Sequence, residues 1–183
     1  LARRRWSLVW DIGCNTGTYS RLSSEHAEYV LALDADQLAL DRLYSELKQE
    51  GNQRVLPLFV DMADPTPGLG WKGLERRQLG DRGTPDLILA LALIHHLVIG
   101  RNIPLNELIE WLAQFGADLV IEFVGHGDPM VKRLLRNRTG QNIEYSAEAL
   151  EAALTRYFGS VTQETLESGT RTLYYAQARS YGG

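Results

Sequence analysis

The chain has 183 residues, 44% hydrophobic and 23% charged, and its 19 Lys and Arg against 23 Asp and Glu leave a net charge of −4. This composition predicts one soluble globular domain with room for a substantial core, and the acidic balance argues against a broad nucleic-acid surface. The longest apolar run, residues 87–94, falls far short of the ~20 residues a membrane span needs, and the lone Cys14 cannot close an intramolecular disulfide, so nothing points to an oxidising compartment.

No signal peptide is visible, and Arg3-Arg4-Arg5 directly ahead of the first strand reads as the tail of a linker or helix from a longer polypeptide. Residues 7–12 are predicted as the first strand and 18–26 as the helix after it. A second strand over 29–33 ends on Asp34. A helix over 37–50 follows, with Leu38, Leu40, Leu43, Tyr44 and Leu47 recurring at helical spacing, and Gly51-Asn52 stops it. Residues 55–60 form a third strand, again ending on an acid, Asp61. Residues 64–85 are rich in Gly, Pro and charge, with a short helix expected around 74–79 and Trp71 amid glycines, a candidate lid. Strands resume at 86–92 and 118–124, with an amphipathic helix over 105–115 between them. Their near-continuous apolar runs suit the doubly covered centre of a parallel sheet. Helices over 130–136 and 147–158 lead to an antiparallel hairpin, 161–167 and 172–178, around the turn Ser168-Gly169-Thr170.

Between the first strand and its helix the chain reads Asp11-Ile12-Gly13-Cys14-Asn15-Thr16-Gly17. A strand, a glycine turn and a helix in that order are how an open α/β sheet builds a ligand crevice at its carboxyl edge. The glycines let the backbone turn without a Cβ in the way, and Asn15 is the residue type that next best tolerates a positive φ. The third glycine of the dinucleotide fingerprint is missing, which disfavours a nicotinamide-dependent oxidoreductase. The acid two residues before Gly13 suits a ligand carrying positive charge. Asp34 is placed for ribose hydroxyls; its other reading is a helix cap, for which Asp36 is the better candidate. Asp64 suits a turn before Pro65, and Cys14 reads as a small filler.

The turn resembles the first motif of the class I S-adenosylmethionine-dependent methyltransferases, D/E-x-G-x-x-x-G. The order of elements resembles their Rossmann-like, doubly wound sheet of seven strands, mostly parallel with a C-terminal antiparallel hairpin, in a three-layer α/β/α fold. The resemblance covers the whole chain and implies S-adenosyl-L-methionine as cofactor. It implies that Asp11, Gly13, Cys14, Asn15 and Gly17 cradle the amino-acid part, with the carboxylate near the sulfonium and ammonium and backbone amides toward the cofactor carboxylate. Asp34 with Ala35 would then take the ribose, Asp61 with Met62 the adenine, and the backbone of Ala90 and Leu91 the cofactor amine.

No Asn-Pro-Pro-Tyr or Asp-Pro-Pro-Tyr follows the fourth strand, which argues against base and glutamine amino-methyltransferases. Leu93-Ile94-His95-His96-Leu97 resembles the small-molecule branch instead. Methyl transfer is an in-line displacement that asks for placement at ~3 Å and little water. A base is needed only for an acceptor protonated at working pH, such as a hydroxyl. His95 or His96 is the candidate base or orienting group; the alternative is an imidazole that hydrogen-bonds across the loop and shapes the pocket. Glu122, an acid inside an apolar strand, needs a partner or a wet mouth: it binds a substrate cation or pairs with a nearby Arg. Adjacent His95 and His96 are wrong for two metal ligands on one helical face, so no metal is expected. His126 reads as a loop residue. The run from Lys132 to Arg138 reads as the solvated face of a helix rather than a grip on an anionic substrate.

Residues 86–158 are similar to a more restricted group, methyltransferases related to a rhizobial nodulation protein. The carrying segments are Leu91-Ala92-Leu93-Ile94-His95-His96-Leu97, Asn102-Ile103-Pro104-Leu105, and Ile121-Glu122-Phe123-Val124 with Asp128-Pro129-Met130-Val131. Gly125-His126-Gly127 departs from the more polar, Lys-containing stretch of that group. The resemblance implies a cytoplasmic bacterial enzyme whose residues 1–183 form one domain of a longer protein. The expected function is methyl transfer to a small-molecule acceptor, with oxygen the slightly favoured atom and with no membrane or nucleic-acid partner. Two rivals stand beside it. One is a domain that binds S-adenosylmethionine without independent catalysis. The other is an RNA or protein methyltransferase guided by Arg3 to Arg5 and Lys132 to Arg138, whose binding would weaken steeply with salt.

Overall fold

Apolar runs closed by acids and glycines set the strand ends. The computed structural model describes residues 4–136, 138 and 143–179. Among them are β1 (Trp6–Ile12), α1 (Thr18–Ser24), β2 (Ala27–Asp34), α2 (Gln37–Glu50), β3 (Val55–Phe59), β4 (Leu87–Ala90), α3 (Leu105–Ala113), β5 (Asp118–Val124), α4 (Pro129–Arg136), α5 (Ala147–Tyr157), β6 (Ser160–Thr165) and β7 (Arg171–Gln177). Strand order is β3-β2-β1-β4-β5-β7-β6, parallel at β1–β2, β2–β3 and β1–β4 and antiparallel at β5–β7 and β6–β7. This is the doubly wound sheet with a closing hairpin that the element order predicts. Contacts divide the chain into two compact units, Leu1–Leu89 and Ala90–Gly183.

In the first unit Val9 stands opposite Val30, Trp10 opposite Leu31 and Ile12 opposite Leu33, and all six side chains are buried. Such strands, covered on both faces, read as continuous apolar runs. β3 carries Pro57 opposite Ala32, which a strand at the sheet edge tolerates because no ladder bond is lost on the outer side. The predicted bounds of α2 hold because its caps are local. Asp36 accepts from Leu38 N and Ala39 N, and Gly51 closes the helix at φ 68°. Leu40, Leu43 and Leu47 bury one face, each contributing roughly 1.5–3 kcal/mol. Leu38 and Tyr44, of the same periodic set, are exposed instead. α1 stops at Ser24, short of the expected residue 26, where the Ser24 hydroxyl bonds Arg21 O and competes with the helical ladder.

The helix expected at 74–79 does not form. The segment folds as a bridge between Leu69 and Arg76 and two single 3-10 turns, Trp71–Gly73 and Leu79–Arg82. Positive φ at Gly70, Lys72 and Gly73 turns the chain just before residue 74, and Gly83, beyond 79, also has positive φ. Leu74 and Trp71 are left exposed, so no apolar face exists to hold one.

In the second unit α3 packs on α5, and Leu108, Ile109 and Leu112 of the one and Leu150 and Leu154 of the other are buried. β5 is buried along most of its length and pairs with β7 so that Glu122 faces Leu173 and Val124 faces Arg171. Gly169, at φ 66°, closes the hairpin. A wide π-type turn over His96–Gly100, not anticipated from the sequence, buries Leu97, Val98 and Ile99 and packs on α4. Among the described residues no helix is long and apolar enough to cross a membrane.

Candidate functional site

The turn after β1 adopts the predicted left-handed geometry, with φ 77° at Gly13, 50° at Asn15 and 78° at Gly17. It is stitched to the end of β2: Gly13 N and Cys14 N both donate to Leu33 O, at 2.8 and 3.1 Å. Gly17 is required twice, by its dihedral and by α2, because a Cβ there would stand 2.4 Å from Leu43 Cδ1. Arg21 of α1 fastens the turn from behind. It donates to Thr16 O at 2.8 Å and pairs with Glu46 and Glu50 of α2, at 2.7 and 3.1 Å.

Asp34, the last residue of β2, accepts Asn15 N on Oδ2 at 2.7 Å and Asp36 N on Oδ1 at 2.9 Å. A carboxylate accepts about four hydrogen bonds, so two acceptor positions remain for ligand hydroxyls. The helix cap falls to Asp36. Asp11 is only 2% exposed and takes the Ser20 hydroxyl on Oδ2 at 2.5 Å. Burial lifts its carboxyl to about 6 against the pull of Ser20, and the negative charge of Asp34 adds to the rise. At neutral pH this unit therefore holds a costly buried anion whose natural complement is a cation.

Val60 N donates to Asp34 O at 2.9 Å, which brings the segment after β3 to the same edge. There Asp61 Oδ1 accepts Ala63 N at 2.9 Å, so this acid shapes its own turn, and Met62 beside it is buried. Ala35 is exposed. Cys14 is buried, and burial pushes its thiol far up, so it fills space and is unreactive.

The second unit separates the two histidines. Ala90 is buried at the end of β4, Leu91 is half-buried, and the chain then turns through Ala92 at φ 49°. His95 is 2% exposed, its Nδ1 lacks a hydrogen-bond partner among the described residues, and its ring lies 4.2 Å from that of the exposed His96. Burial first, and then His96 and Arg171 against Asp128, lower its pKa to about 4. His95 is thus a neutral imidazole at pH 7 and a weak base, suited to orienting a ligand by hydrogen bonding.

Glu122 is buried, and the sequence alternative of a nearby Arg is realised: Arg171 Nη1 lies 3.2 Å from its Oε1, while Nη2 reaches Asp128 Oδ2 at 3.1 Å. Asp128 also caps α4, accepting Met130 N on Oδ1 at 2.8 Å ahead of Pro129. Burial opposes ionisation of Asp128, but the Met130 N–H and Arg171 outweigh it and hold the carboxyl below its usual range. Tyr145 donates to Val124 O at 2.7 Å and stacks on Phe123; its own carbonyl lies 2.8 Å from Nε2 of the exposed loop residue His126. Sequence reasoning missed Arg171 and the second role of Asp128. The available signal was the unmet need of Glu122 for a partner, and only the β5–β7 register supplies one.

Lys132, Arg133 and Arg136 are exposed along α4, the solvated face expected there. Asn137 of that run, and Arg3 of the N-terminal cluster, lie outside the described residues. Among the described residues no group of three or more His, Cys, Asp or Glu is placed to hold a metal.

No protein-family model matches the chain. Nodulation protein NoeA of Rhizobium meliloti (strain 1021) is 35% identical over 175 residues, which are 95% of this chain and 37% of NoeA, so the chain spans little more than a third of that relative. The N-methyltransferase NodS from Bradyrhizobium japonicum WM9, solved in complex with S-adenosyl-L-homocysteine, superposes with a TM-score of 0.62 at 15% identity over 93% of this chain and 76% of NodS. The PH0226 protein from Pyrococcus horikoshii OT3 superposes with a TM-score of 0.65 at 14% identity over 97% of this chain and 84% of PH0226. At these identities the two structures share the fold.

Proposed function

Starting from a chain with the fold of the class I S-adenosylmethionine-dependent methyltransferases and with similarity to a rhizobial nodulation protein, we propose that it transfers a methyl group from S-adenosyl-L-methionine to a small-molecule acceptor. One observation carries this reading: the Asn15 N to Asp34 Oδ2 bond at 2.7 Å, which locks the glycine turn to the acid ending β2 and leaves that acid half its accepting capacity. When bound, the cofactor supplies an electrophilic methyl carbon on a sulfonium. Asp34 accepts from the ribose hydroxyls, with Ala35 alongside. Asp11 places a buried negative charge near the cationic part, and the turn from Gly13 to Gly17 gives it a backbone without side-chain obstruction. Asp61 and Met62 serve the adenine. His95 orients the acceptor as a neutral hydrogen-bonding group.

The preference for an oxygen acceptor weakens once His95 is buried, because a hydroxyl asks for a base near neutrality and burial holds His95 well below that range. The reading extends to a cytoplasmic enzyme, one domain of a longer protein, with no nucleic-acid partner. The coverage of NoeA favours a second reading, a domain that binds the cofactor without independent catalysis; turnover with any acceptor excludes it. The test is calorimetric titration of S-adenosylmethionine and S-adenosylhomocysteine into the chain and an Asp34→Ala variant. Micromolar binding, weakened by ~1–3 kcal/mol in the variant, is the expected result. Folded wild-type chain that binds neither ligand refutes the proposal.

A further inference from the structure

The second unit buries two carboxylates around one guanidinium. Glu122 and Asp128 are 6% and 8% exposed, and Arg171 bridges them from the first residue of β7. Their formal charges leave one negative charge over. Asp128 engages both oxygens, one with Arg171 and one with Met130 N. Glu122 engages only Oε1; its Oε2 makes no hydrogen bond among the described residues. That oxygen is not among the sealed polar atoms, so it is open to a donor, and a carboxylate left short of positive charge favours an arriving cation.

A second, independent feature points to the same place. His95 is nine-tenths and more buried, with Nδ1 unpartnered among the described residues. The turn it opens packs on α4, the helix that Asp128 caps, and beyond its neighbour His96 the charges its imidazole feels are those of Asp128 and Arg171. A buried ring nitrogen without a partner calls for a ligand or water hydrogen bond. A metal does not answer this need, since Arg171 already stands between the carboxylates and no three ligating groups gather among the described residues. An anion meets two carboxylates and is repelled. A cation bearing N–H groups complements both features, donating to Glu122 Oε2 and to His95 Nδ1.

Resting on the methyltransferase reading, we infer that Glu122, Asp128, Arg171 and His95 form the docking site for the acceptor, and that the acceptor carries a protonated amine which this site recognises. The ammonium anchors the molecule; Arg171 holds the two carboxylates in place and leaves room for one further positive charge.

Ligand-observed NMR titration with three probes of matched size, benzylammonium, benzyl alcohol and benzoate, tests this with and without saturating S-adenosylhomocysteine. Benzylammonium is expected to bind at least about tenfold more tightly than the alcohol, with benzoate weakest. Glu122→Gln and Asp128→Asn, each removing one negative charge, are expected to reduce that preference at least about threefold. Asn caps helices as well as Asp, so the second variant covers a first that does not fold. Affinity for S-adenosylhomocysteine stays within about twofold in both variants, which separates failure of the cofactor reading from failure of this one. Equal binding of amine and alcohol, preference for benzoate, no amine binding by ~10 mM, or a preference that survives in both variants overturns the inference, and the cluster is then a structural ion pair.

Discussion

Asp11→Asn keeps the size and hydrogen-bonding capacity of the side chain and deletes its charge. The carboxyl is 2% exposed, hydrogen-bonded to Ser20, and raised from 3.8 to about 6. At 1.36 kcal/mol per pKa unit, ionisation costs the native state about 3 kcal/mol more than the unfolded chain. The native state binds the proton more tightly, so between pH 3.8 and 6 it carries more protons than the unfolded chain, and this contribution to stability is lost as pH rises through that window. The variant has no proton to lose. Urea unfolding from pH 4 to 8 is expected to show little difference near pH 4, growing to about 3 kcal/mol in favour of the variant above pH 6. That corresponds to about 6–12 °C in Tm for a chain of this length. His95 acts in the opposite sense: lowered to about 4 by burial, it withdraws stability as pH falls from 6.5 toward 4. The two contributions oppose each other in the wild-type profile, so the difference between the two chains is the informative curve. A variant no more stable than wild type at pH 7, or a difference that does not change between pH 4 and 7, refutes the argument from burial. If, as proposed, the same charge serves the cofactor, the affinity of wild type for S-adenosylmethionine is expected to rise with pH through 6 with proton release, and the variant to lose both.

Gly17→Ala forces a Cβ to 2.4 Å from Leu43 at φ 78°; strain and overpacking together should cost about 2–4 kcal/mol, and a loss under ~1 kcal/mol in chemical denaturation would show that the turn can relax. Arg171→Met leaves Glu122 and Asp128 facing each other. With Arg171 about one-third exposed, solvent screens part of the effect, so about 1–3 kcal/mol of destabilisation is expected. Adding Glu122→Gln should recover part of it, and strict additivity in that double-mutant cycle contradicts the coupling. Asp34→Ala is expected to weaken cofactor binding without abolishing the fold; an affinity equal to wild type removes Asp34 from the ribose.

Where the chain reported its own structure, it did so through local chemistry. The limits of α2 were legible because Asp36 and Gly51 cap it without help from elsewhere, and β5 because an apolar run is bounded by Asp118 and Gly125. The glycine turn and the acids at the ends of β1, β2 and β3 were legible for the same reason, each lying within a few residues of a strand end. Residues 64–85 were not, because the left-handed dihedrals at Gly70, Lys72 and Gly73 turn the chain just ahead of an exposed Leu74, and composition alone does not show that. Nor could the sequence tell His95 from His96, since burial of one and exposure of the other depends on the turn that follows them. Arg171 lies 49 residues from Glu122 and meets it only through strand register.

The double duty of Asp34 bears on how this fold changes over generations. Its carboxylate fastens the turn after β1 before any ligand arrives, and Gly17 is demanded by Leu43 whether or not a ligand ever comes. A descendant that abandoned chemistry would still be held to these residues by folding alone. Possession of the motif is therefore weak testimony that a given copy remains active. Better witnesses are groups that folding does not require, such as the side chain of the exposed Ala35 and the ring polarity of His95, whose Nδ1 has no partner among the described residues and which an apolar ring could replace once function is gone.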